Sequence, residues 1–359
     1  MPSIQAQVMN KIASLALKSY RGSGAGFVRR FRMVTAASNL LAPVPKGLKH
    51  IKGQLGGVPG EWLIPVNPKG ALLYIHGGAF VAGHPPMYRP FCGALANALG
   101  FRVFIVDYRL APENAFPVPL EDCISSFEAL VADTPAGEPI FVAGDSAGGN
   151  LSLAVLQHAV KNKLPANGGL LISPATDMRR LSPSIEGNDA TDSMLSAHII
   201  EHAANLYLCG HDPADERASP LLGKLKGLPP LMVTASESEC LLDDSVLLRD
   251  AVEKVGGTIT LLTRPGMPHI WPTMNLAVPE AKEDLLKIIQ FFSPLVKGIS
   301  TGTLQVQGVG DTYNTYNNDH FHFTRRPCGL CPALRTVFVS LPWRQLRFRQ
   351  HCRRPNQPQ

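Results

Sequence analysis

The hexapeptide Gly144-Asp145-Ser146-Ala147-Gly148-Gly149 constrains the fold more than any other part of the sequence. An apolar run, 139–143, precedes it, and a helix-like segment, 150–158, follows it. In this setting G-x-S-x-G forms a sharp turn that exposes the serine, and the two glycines allow a strained backbone without a Cβ clash. The helix N-terminus also favours a developing oxyanion. The segment therefore predicts a strand, a tight turn and a helix, with Ser146 as a candidate nucleophile.

A second glycine motif, His76-Gly77-Gly78-Ala79, follows the apolar run 71–75. Glycines after a strand let the main chain approach a substrate closely and present N–H donors to an oxyanion. Taken alone, the glycine pair is equally compatible with an ordinary turn. Because a histidine-glycine loop pairs with G-x-S-x-G in serine hydrolases, and both motifs follow strand-like runs, we interpret the two motifs as parts of one catalytic site.

Strand-like and helix-like segments alternate along the 359 residues, which predicts a mostly parallel sheet with helices on both faces. A hydrophobic content of 45% is sufficient for a sizeable core, and a charged content of 17% argues against disorder over most of the chain. The predicted strands are 71–75, 102–106, 139–143, 168–172, 230–234 and 258–263, and the predicted helices are 88–99, 120–132, 147–161, 243–255 and 279–292.

Two segments interrupt this alternation and are predicted to form a helical cap over the site. Residues 1–45 have an amphipathic helical pattern, and residues 178–218 lie between two predicted strands. The catalytic α/β domain then consists of residues 46–177 and 219–296. No apolar stretch is long enough to span a membrane, and we see no extended apolar stripe that would engage a lipid surface. We therefore expect no membrane partner.

The formal net charge of +6 is concentrated in the last part of the chain. From Lys297 onward there are nine Lys/Arg, two Asp and no Glu, whereas residues 1–296 together are close to neutral. This distribution is not typical of a nucleic-acid-binding enzyme, so no nucleic-acid partner is expected. The extension 297–359 also lacks regular apolar periodicity, and we predict that it is disordered.

The cysteines and histidines give no convincing metal site. The extension contains His320-Phe321-His322 and Cys328-Gly329-Leu330-Cys331, but this spacing matches no zinc module that we can identify, and we expect no metal. The seven cysteines are an odd number and are mostly scattered in apolar surroundings. This usage indicates reduced thiols and a cytoplasmic location.

Further motifs resemble the hormone-sensitive-lipase-like (family IV) branch of the α/β-hydrolases. With the two glycine motifs they cover roughly residues 40–295 in unbroken order. The resemblance implies an α/β-hydrolase fold with a helical cap and a serine esterase activity that needs no cofactor. By the same analogy, Arg109 and Glu113 are expected to tie a loop beneath the oxyanion segment. The additional motifs are Asp107-Tyr108-Arg109-Leu110-Ala111-Pro112-Glu113, Phe116-Pro117, Ser219-Pro220-Leu221, Leu228-Pro229-Pro230, Glu239-Cys240-Leu241-Leu242-Asp243-Asp244 and Gly266-Met267-Pro268-His269.

His269 is the candidate general base. It follows the strand-like run 258–263 in a rigid turn, and this fold requires the chain order serine, acid, histidine. The other histidines compete poorly, because they lie on helix patterns (His158, His198 and His202) or in the extension.

The triad acid lies among four carboxylates that follow the strand-like run 231–234: Glu237, Glu239, Asp243 and Asp244. In the family that the chain resembles, the acid is the first residue of an (Asp/Glu)-x-Leu-x-Asp motif, and Glu239 occupies that position. We expect Asp243 and Asp244 to cap the helix that follows, where carboxylates bond free N–H groups. Both nevertheless stay open as alternatives for the triad acid.

These assignments predict a serine carboxylesterase for short- to medium-chain acyl esters. Ser146 would attack the carbonyl, His269 would carry the proton, and Glu239 would orient the imidazole. The oxyanion donors would be backbone N–H groups in the loop that His76 opens and after the serine. They belong to Gly77, Gly78, Ala79 and Ala147, and family members usually have a third glycine in place of Ala79.

The expected partner is a small ester, and a homodimer is a possible assembly. Three alternatives stay open: a lactone hydrolase, a deacetylase of a specific metabolite on the same site, and a non-catalytic small-molecule receptor. Receptors on this fold lack the triad histidine, whereas this chain has His269. No cofactor is expected for any of these functions.

Overall fold

The computed structural model describes residues 1–38, 42–296, 314–316 and 320–322. The chain divides into two compact units, Met1–Lys297 and Gly298–Gln359. In the second unit, strands β9 (Asn314–Tyr316) and β10 (His320–His322) pair in antiparallel orientation. The rest of the predicted disordered extension, with Cys328 and Cys331, lies outside the described residues.

The first unit is built on an eight-stranded, mostly parallel sheet, as the sequence predicts. Its strand order is β1-β2-β4-β3-β5-β6-β7-β8. Neighbours from β4 to β8 run parallel, whereas β1 and β2 add to the β4 edge in antiparallel orientation. The strands are β1 Lys49–Leu55, β2 Val58–Ile64, β3 Ala71–Ile75, β4 Arg102–Val106, β5 Ile140–Asp145, β6 Gly168–Ile172, β7 Leu231–Ser236 and β8 Ile259–Arg264.

Helices cover both faces of this sheet. Every residue of β3, β5, β6 and β7 is buried, which requires protein on each face and explains why these strands are continuous apolar runs in the sequence. The predicted helices and strands of this domain are confirmed to within two residues. The helices are α1 Ile4–Ala13, α2 Gly24–Ser38, α3 Arg89–Leu99, α4 Val118–Asp133, α5 Ala147–Asn162, α6 Ser184–Gly187, α7 Ala197–Leu208, α8 Leu242–Lys254 and α9 Pro279–Phe292, and a π-helical turn, Ser14–Lys18, follows α1.

The hairpin of β1 and β2 is absent from the sequence-based prediction. In β1 only Leu55 is buried, and its other residues are half-buried or exposed, as on an edge strand. Because this strand is largely polar, it has no apolar run and no clean two-residue alternation. Hydropathy alone could not identify it.

The N-terminal helices pack against the segment inserted between β6 and β7. An apolar cluster joins Phe27 and Phe31 of α2 to Ile199 of α7 and to Val81, which lies just after the His76 loop. The Phe27 ring lies 5.9 Å from the His202 ring on α7, between centroids. These contacts support the prediction that residues 1–45 and 178–218 form one cap. No helix in the described part of the chain is long and apolar enough to cross a membrane.

Candidate active site

Four sequence-predicted residues lie at one edge of the sheet. His76 follows β3, Ser146 follows β5, Glu239 lies after β7, and His269 lies after β8. Since these strands are parallel, their carboxyl ends meet at the same edge, which is where open α/β sheets bind ligands. The topology therefore brings together residues that are up to 193 positions apart in the sequence.

The turn at Ser146 is strained at the serine itself. Ser146 has φ 54° and ψ −120°, a conformation that non-glycine residues rarely adopt. The glycine on its C-terminal side serves close packing instead. A Cβ on Gly148 would lie 2.0 Å from the carbonyl oxygen of Ile75. The sequence predicts a strained turn without a Cβ clash, and two different residues provide these features. Ser146 takes the unusual backbone angles, and Gly148 allows α5 to approach β3.

Glu239 is paired with His269. The Nδ1 atom of His269 lies 2.9 Å from Oε2 of Glu239, and the two side chains are only 3% and 1% exposed. The opposite ring nitrogen, Nε2, is buried and has no hydrogen-bond partner among the described residues. A bond at Nδ1 fixes the ring orientation and leaves Nε2 able to accept a proton.

The end of β6 holds the serine and histidine segments together. The N–H of Ser146 donates to the carbonyl of Ile172 at 2.8 Å. The next residue, Ser173, accepts a hydrogen bond at Oγ from the N–H of Ile270, which follows His269, at 3.3 Å. Two consecutive residues of one strand end therefore fix the backbone beside both side chains.

Burial and the interaction between the two side chains shift the pKa values of both His269 and Glu239. Burial alone lowers the pKa of His269, but the adjacent Glu239 carboxylate raises it, and the net shift is upward. Burial raises the pKa of Glu239, and the nearby His269 opposes this change. The charged form of His269 is thus stabilised by a carboxylate that water does not screen.

Asp243 and Asp244 do not cap the helix that contains them. The N-cap residue of α8 is Leu241, and no side chain makes a capping hydrogen bond there. Instead Oδ2 of Asp244 accepts from the N–H of Thr176 at 2.6 Å, and Oδ2 of Asp243 accepts from the N–H of Ser184 at 2.8 Å. The capping prediction is wrong because Asp243 bonds the cap insertion and Asp244 bonds the segment that leads into it.

Asp244 is nevertheless an unusual carboxylate. It is 1% exposed and lies on the wall of the cavity at Ser146. Burial raises its pKa to about 6, although the hydroxyl of Ser182 and the N–H of Thr176 donate to it. Neither it nor Asp243 is hydrogen-bonded to His269 in the described structure. The geometry therefore favours Glu239 as the acid.

Three backbone N–H groups at the site are unused, two in the loop that His76 opens and one directly after the serine. Those of Gly78, Ala79 and Ala147 have no intramolecular acceptor in the described part of the chain. The Gly77 N–H is different, because it donates to Oδ1 of Asp145 at 3.0 Å. Its prediction as an oxyanion donor is therefore not supported by the geometry, and it fastens the loop instead.

The loop backbone follows an unusual path. Gly78 has φ 121° and Ala79 has φ 57°. The first value is readily accessible only to glycine, and the second is a left-handed conformation that costs an alanine free energy. A glycine in place of Ala79 would relax this conformation, which gives a physical reason for the third glycine of the family pattern.

His76 supports the loop rather than reacting. Its ring is buried and stacks on Tyr108, with centroids 4.3 Å apart, and Nδ1 lies 2.8 Å from the carbonyl oxygen of Gly77. Burial lowers the pKa of His76 to about 4, so the ring is neutral near pH 7. The hydroxyl of Tyr108 donates to the carbonyl of His76 at 2.9 Å.

Asp145 is a functional residue that the sequence reasoning missed. Its Oδ1 accepts from the hydroxyl of Tyr74 at 2.8 Å as well as from Gly77, and its Oδ2 accepts from the hydroxyl of Tyr88 at 2.9 Å. Burial raises the pKa of Asp145 to about 6. Asp145 thus joins the serine turn to the oxyanion loop. The available sequence signal was a charged residue at the end of an otherwise apolar strand. An unpaired charge there would cost folding free energy, so a buried partner is expected.

Asp192 connects the cap insertion to the acid. Its Oδ2 accepts from the N–H of Cys240, the residue after Glu239, at 2.8 Å. The ammonium of Lys18 donates to the backbone carbonyls of Asp189 and Asp192, so the N-terminal segment also reaches this point. No sequence pattern indicates these contacts, because they depend on the path of the insertion.

Arg109 and Glu113, which the resemblance places in a loop-tying role, bind different partners. Arg109 forms a bidentate pair with the buried Asp122 of α4, at 2.7 Å. Glu113 instead pairs with Arg32 of α2, whose guanidinium also donates to the carbonyl of Val81. The run 107–113 therefore contacts two different neighbours, α4 through Arg109 and α2 through Glu113.

A mainly apolar cavity opens at Ser146. Phe80 and Ala147 lie beside the serine, and the opposite walls come largely from the insertion. No residue of the N-terminal helices lines it. The lining side chains of the insertion are Met178, Arg180, Ile185, Leu195, Ile199, Ile200, Ala203 and Ala204. Within the described residues no cluster of three or more potential metal ligands is found.

Comparison with known proteins gives consistent matches. A family model described as the alpha/beta hydrolase fold matches residues 72–273. An acetyl-hydrolase of Streptomyces hygroscopicus is 34% identical over 243 residues, covering 64% of this chain and 81% of that protein. An esterase of Acinetobacter venetianus is 33% identical over 281 residues, covering 75% of this chain and 93% of that protein.

Solved structures with the same architecture cover most of the chain. A hormone-sensitive lipase from a metagenome library superposes with a TM-score of 0.76 and 26% identity, over 83% of this chain and 100% of that one. An esterase from the bacterial hormone-sensitive lipase family gives a TM-score of 0.74 and 30% identity, over 84% of this chain and 100% of that one.

Proposed function

Because the chain belongs to the hormone-sensitive-lipase-like branch of the α/β-hydrolase family and is a carboxylic ester hydrolase, we propose that it cleaves small acyl esters with a triad of Ser146, His269 and Glu239. The observation that carries this proposal is the buried pair of Glu239 and His269, whose Nδ1–Oε2 distance of 2.9 Å leaves Nε2 unbonded in the described structure.

The first half of the reaction forms an acyl-enzyme. Ser146 Oγ attacks the ester carbonyl while Nε2 of His269 takes its proton. The carbonyl oxygen becomes negative and accepts hydrogen bonds from the backbone N–H groups of Gly78, Ala79 and Ala147. The tetrahedral intermediate collapses when His269 gives the proton to the leaving alcohol, and the acyl group stays on Ser146.

The second half regenerates the serine. Water attacks the acyl carbonyl, His269 accepts a proton from that water, and the proton returns to Ser146 Oγ as the carboxylic acid leaves. Glu239 keeps the imidazole in one tautomer and stabilises its charged form during both halves. Every proton is carried by His269, and no cofactor enters the scheme.

The cavity supports short to medium acyl chains as the preferred substrates. Its walls include small side chains such as Ala203 and Ala204 together with branched ones such as Ile185 and Leu195. Each methylene that a longer chain leaves in water forgoes about 0.8 kcal/mol. The names of the similar proteins, acetyl-hydrolase and ethyl acetate hydrolase, agree with the short end of this range.

The decisive experiment removes the nucleophile. Ser146→Ala should lower turnover of p-nitrophenyl butyrate by about a thousandfold or more. Ser152→Ala is the matched control, since this buried serine of α5 has a hydroxyl without a partner among the described residues. An organophosphate should modify Ser146, as read by mass spectrometry. Near-native activity of a folded Ser146→Ala protein, or labelling elsewhere, would refute the site.

A further inference from the structure

The first helix carries an apolar stripe on its solvent side. Ile4, Val8, Ile12 and Leu15 are 76%, 49%, 53% and 72% exposed. Their spacings of four, four and three residues place them on one face of a helix. The expectation that the chain has no extended apolar stripe is therefore wrong. Without the structure the stripe is indistinguishable from a core-facing one, because periodicity does not say which face is buried.

The opposite face of this helix is bonded to the protein. Ala6 and Ala13 are buried. The side chain of Asn10 donates to the carbonyl of Gly266 at 3.0 Å and accepts from the hydroxyl of Ser193 at 2.6 Å. Small and polar residues thus hold the helix inward, while the larger apolar residues point to solvent. The orientation of α1 is therefore fixed by its contacts, and the exposure of the stripe does not result from loose packing of the helix.

The segment that carries the stripe is basic in sequence, although the carboxylate of Glu280 bonds Ser3 at the start of α1. Residues 1–60 contain nine Lys/Arg and neither Asp nor Glu, whereas residues 61–296 contain 16 Lys/Arg and 26 Asp/Glu. The earlier attribution of the basic character to the extension alone is thus incomplete. Lys11, Arg21 and Arg29 are exposed. Arg30 donates to the carbonyls of Leu15 and Ala16 and so lies beside the end of the stripe.

We propose that the stripe on α1 and the π-helical turn docks this protein on an anionic phospholipid surface. An exposed apolar helix face with basic residues at its side is the pattern of helices that lie in the headgroup region of a bilayer. The docking is peripheral and leaves the chain outside the hydrocarbon core. It does not depend on the esterase mechanism.

The charge pattern selects this occupant over two others. A second copy of the chain would present the same cationic surface, and like charges across an interface repel. The extension 297–359 carries nine Lys/Arg against two Asp, so it has the same sign as the stripe. Anionic headgroups are complementary to the basic residues, and their acyl chains accept the apolar ones.

The location of α1 gives this docking a consequence for the site. Asn10 bonds Gly266, three residues before His269, and Lys18 bonds the carbonyl of Asp192, whose side chain holds Cys240 next to Glu239. A protein docked through α1 would keep the loops of the acid and the base near the lipid surface. Esters that partition into that surface would then be concentrated beside the site.

The test measures binding of the full-length chain to vesicles. We expect binding to vesicles that contain phosphatidylglycerol, weaker binding to pure phosphatidylcholine, and weakening by high salt. Ile4→Ser, Ile12→Ser and Leu15→Ser combined should reduce the apparent affinity about tenfold or more. Val66→Ser, Leu247→Ser and Val255→Ser, which change three exposed apolar residues elsewhere, should leave it unchanged.

A second set of variants separates charge from apolar contact. Lys11→Gln, Arg21→Gln and Arg29→Gln combined should remove most of the preference for phosphatidylglycerol. Hydrolysis of a dissolved p-nitrophenyl ester should be unchanged in every variant, which verifies folding. No binding by the native chain, or full binding by the stripe variant, would overturn the proposal. A native dimer that the stripe variant converts to a monomer would assign the stripe to a second copy and overturn it as well.

Discussion

At the scale of single residues, the Glu239 carboxylate acts on the pKa of His269. Its carboxylate is buried against His269 with an Oε2–Nδ1 distance of 2.9 Å. Two alternatives, Asp243 and Asp244, stay open in the sequence, but their carboxylates accept hydrogen bonds from the N–H groups of Ser184 and Thr176, respectively. Asp243 and Asp244 lie only four and five residues after Glu239, yet their different hydrogen-bond partners give the three carboxylates separable roles.

Exchange of Glu239 for glutamine should separate these roles. Glu239→Gln is expected to lower kcat at least about a hundredfold, because the imidazolium loses its counter-charge and the ring its tautomer preference. The control, Asp243→Asn, should leave turnover nearly unchanged and lower the free energy of unfolding by about 0.5–1.5 kcal/mol through its bond to Ser184. Steady-state kinetics and urea denaturation measure both effects, and the reverse pattern would identify Asp243 as the acid.

The pH profile gives an independent reading of the same pair. In the proposed mechanism neutral His269 is the base, so kcat/KM should fall as pH falls through its pKa in the free enzyme. Glu239 raises that pKa. In Glu239→Gln the pKa should therefore drop, and the acidic limb of the residual activity should move to lower pH. An unmoved limb, or one moved to higher pH, would contradict the charge coupling between the two residues.

Two residues of the proposed triad could be singled out from the sequence because each lies in a local pattern. Ser146 is in a five-residue motif, and His269 is in a short turn after a strand. The supporting roles were not predictable. Asp145 bonds Gly77, 68 positions away, and Asp244 bonds Thr176, also 68 positions away. Such bonds are created by tertiary packing and leave no spacing in the sequence.

Asp145 couples two elements, the serine turn and the oxyanion loop. Asp145→Asn should lower kcat with little change in KM, because an amide cannot accept all three hydrogen bonds and the loop loses its fixed position. It should also cost about 1–3 kcal/mol of unfolding free energy, as expected for a buried polar group left unsatisfied. Asp133→Asn, at an exposed carboxylate, is the control. Native kcat in Asp145→Asn would show that the loop keeps its position without this residue.

The cap insertion is the element that should set acyl-chain preference. Ile200 of α7 is partly buried and lines the cavity at Ser146. Ile200→Ala should raise the ratio of kcat/KM for octanoate over butyrate p-nitrophenyl esters about tenfold, since it makes room for additional methylenes. Ile124→Ala, on α4 outside this lining, should not change the ratio. A ratio that responds equally in both variants would remove the insertion from the acyl site.

Prediction of elements from the sequence succeeded where burial is complete. Strands such as β3 and β7 are buried on both faces and read as continuous apolar runs. The edge strand β1 is mostly polar and was missed. For α1 the helical pattern was recognised, but its orientation was not, because an apolar stripe looks the same in sequence whether it faces the core or solvent.

At the scale of the whole molecule, the two units differ in their expected importance for catalysis. All residues of the proposed triad and oxyanion loop lie in Met1–Lys297. Removal of residues 300–359 should therefore leave kcat within about twofold, as expected for a terminal segment that supplies no site residue. Kinetics and thermal denaturation of the shortened protein test this. Aggregation, loss of activity, or stoichiometric zinc bound through Cys328 and Cys331 in the full-length chain would contradict it.

The backbone angles of Ser146 have an evolutionary consequence. A non-glycine residue at φ 54° and ψ −120° costs the folded state of order 1–3 kcal/mol, and glycine would avoid most of that cost. Laboratory evolution that selects variants for thermal stability alone should therefore favour Ser146→Gly. That variant is expected to be more stable but lacks the proposed nucleophile. The serine persists in a lineage only while turnover itself is under selection.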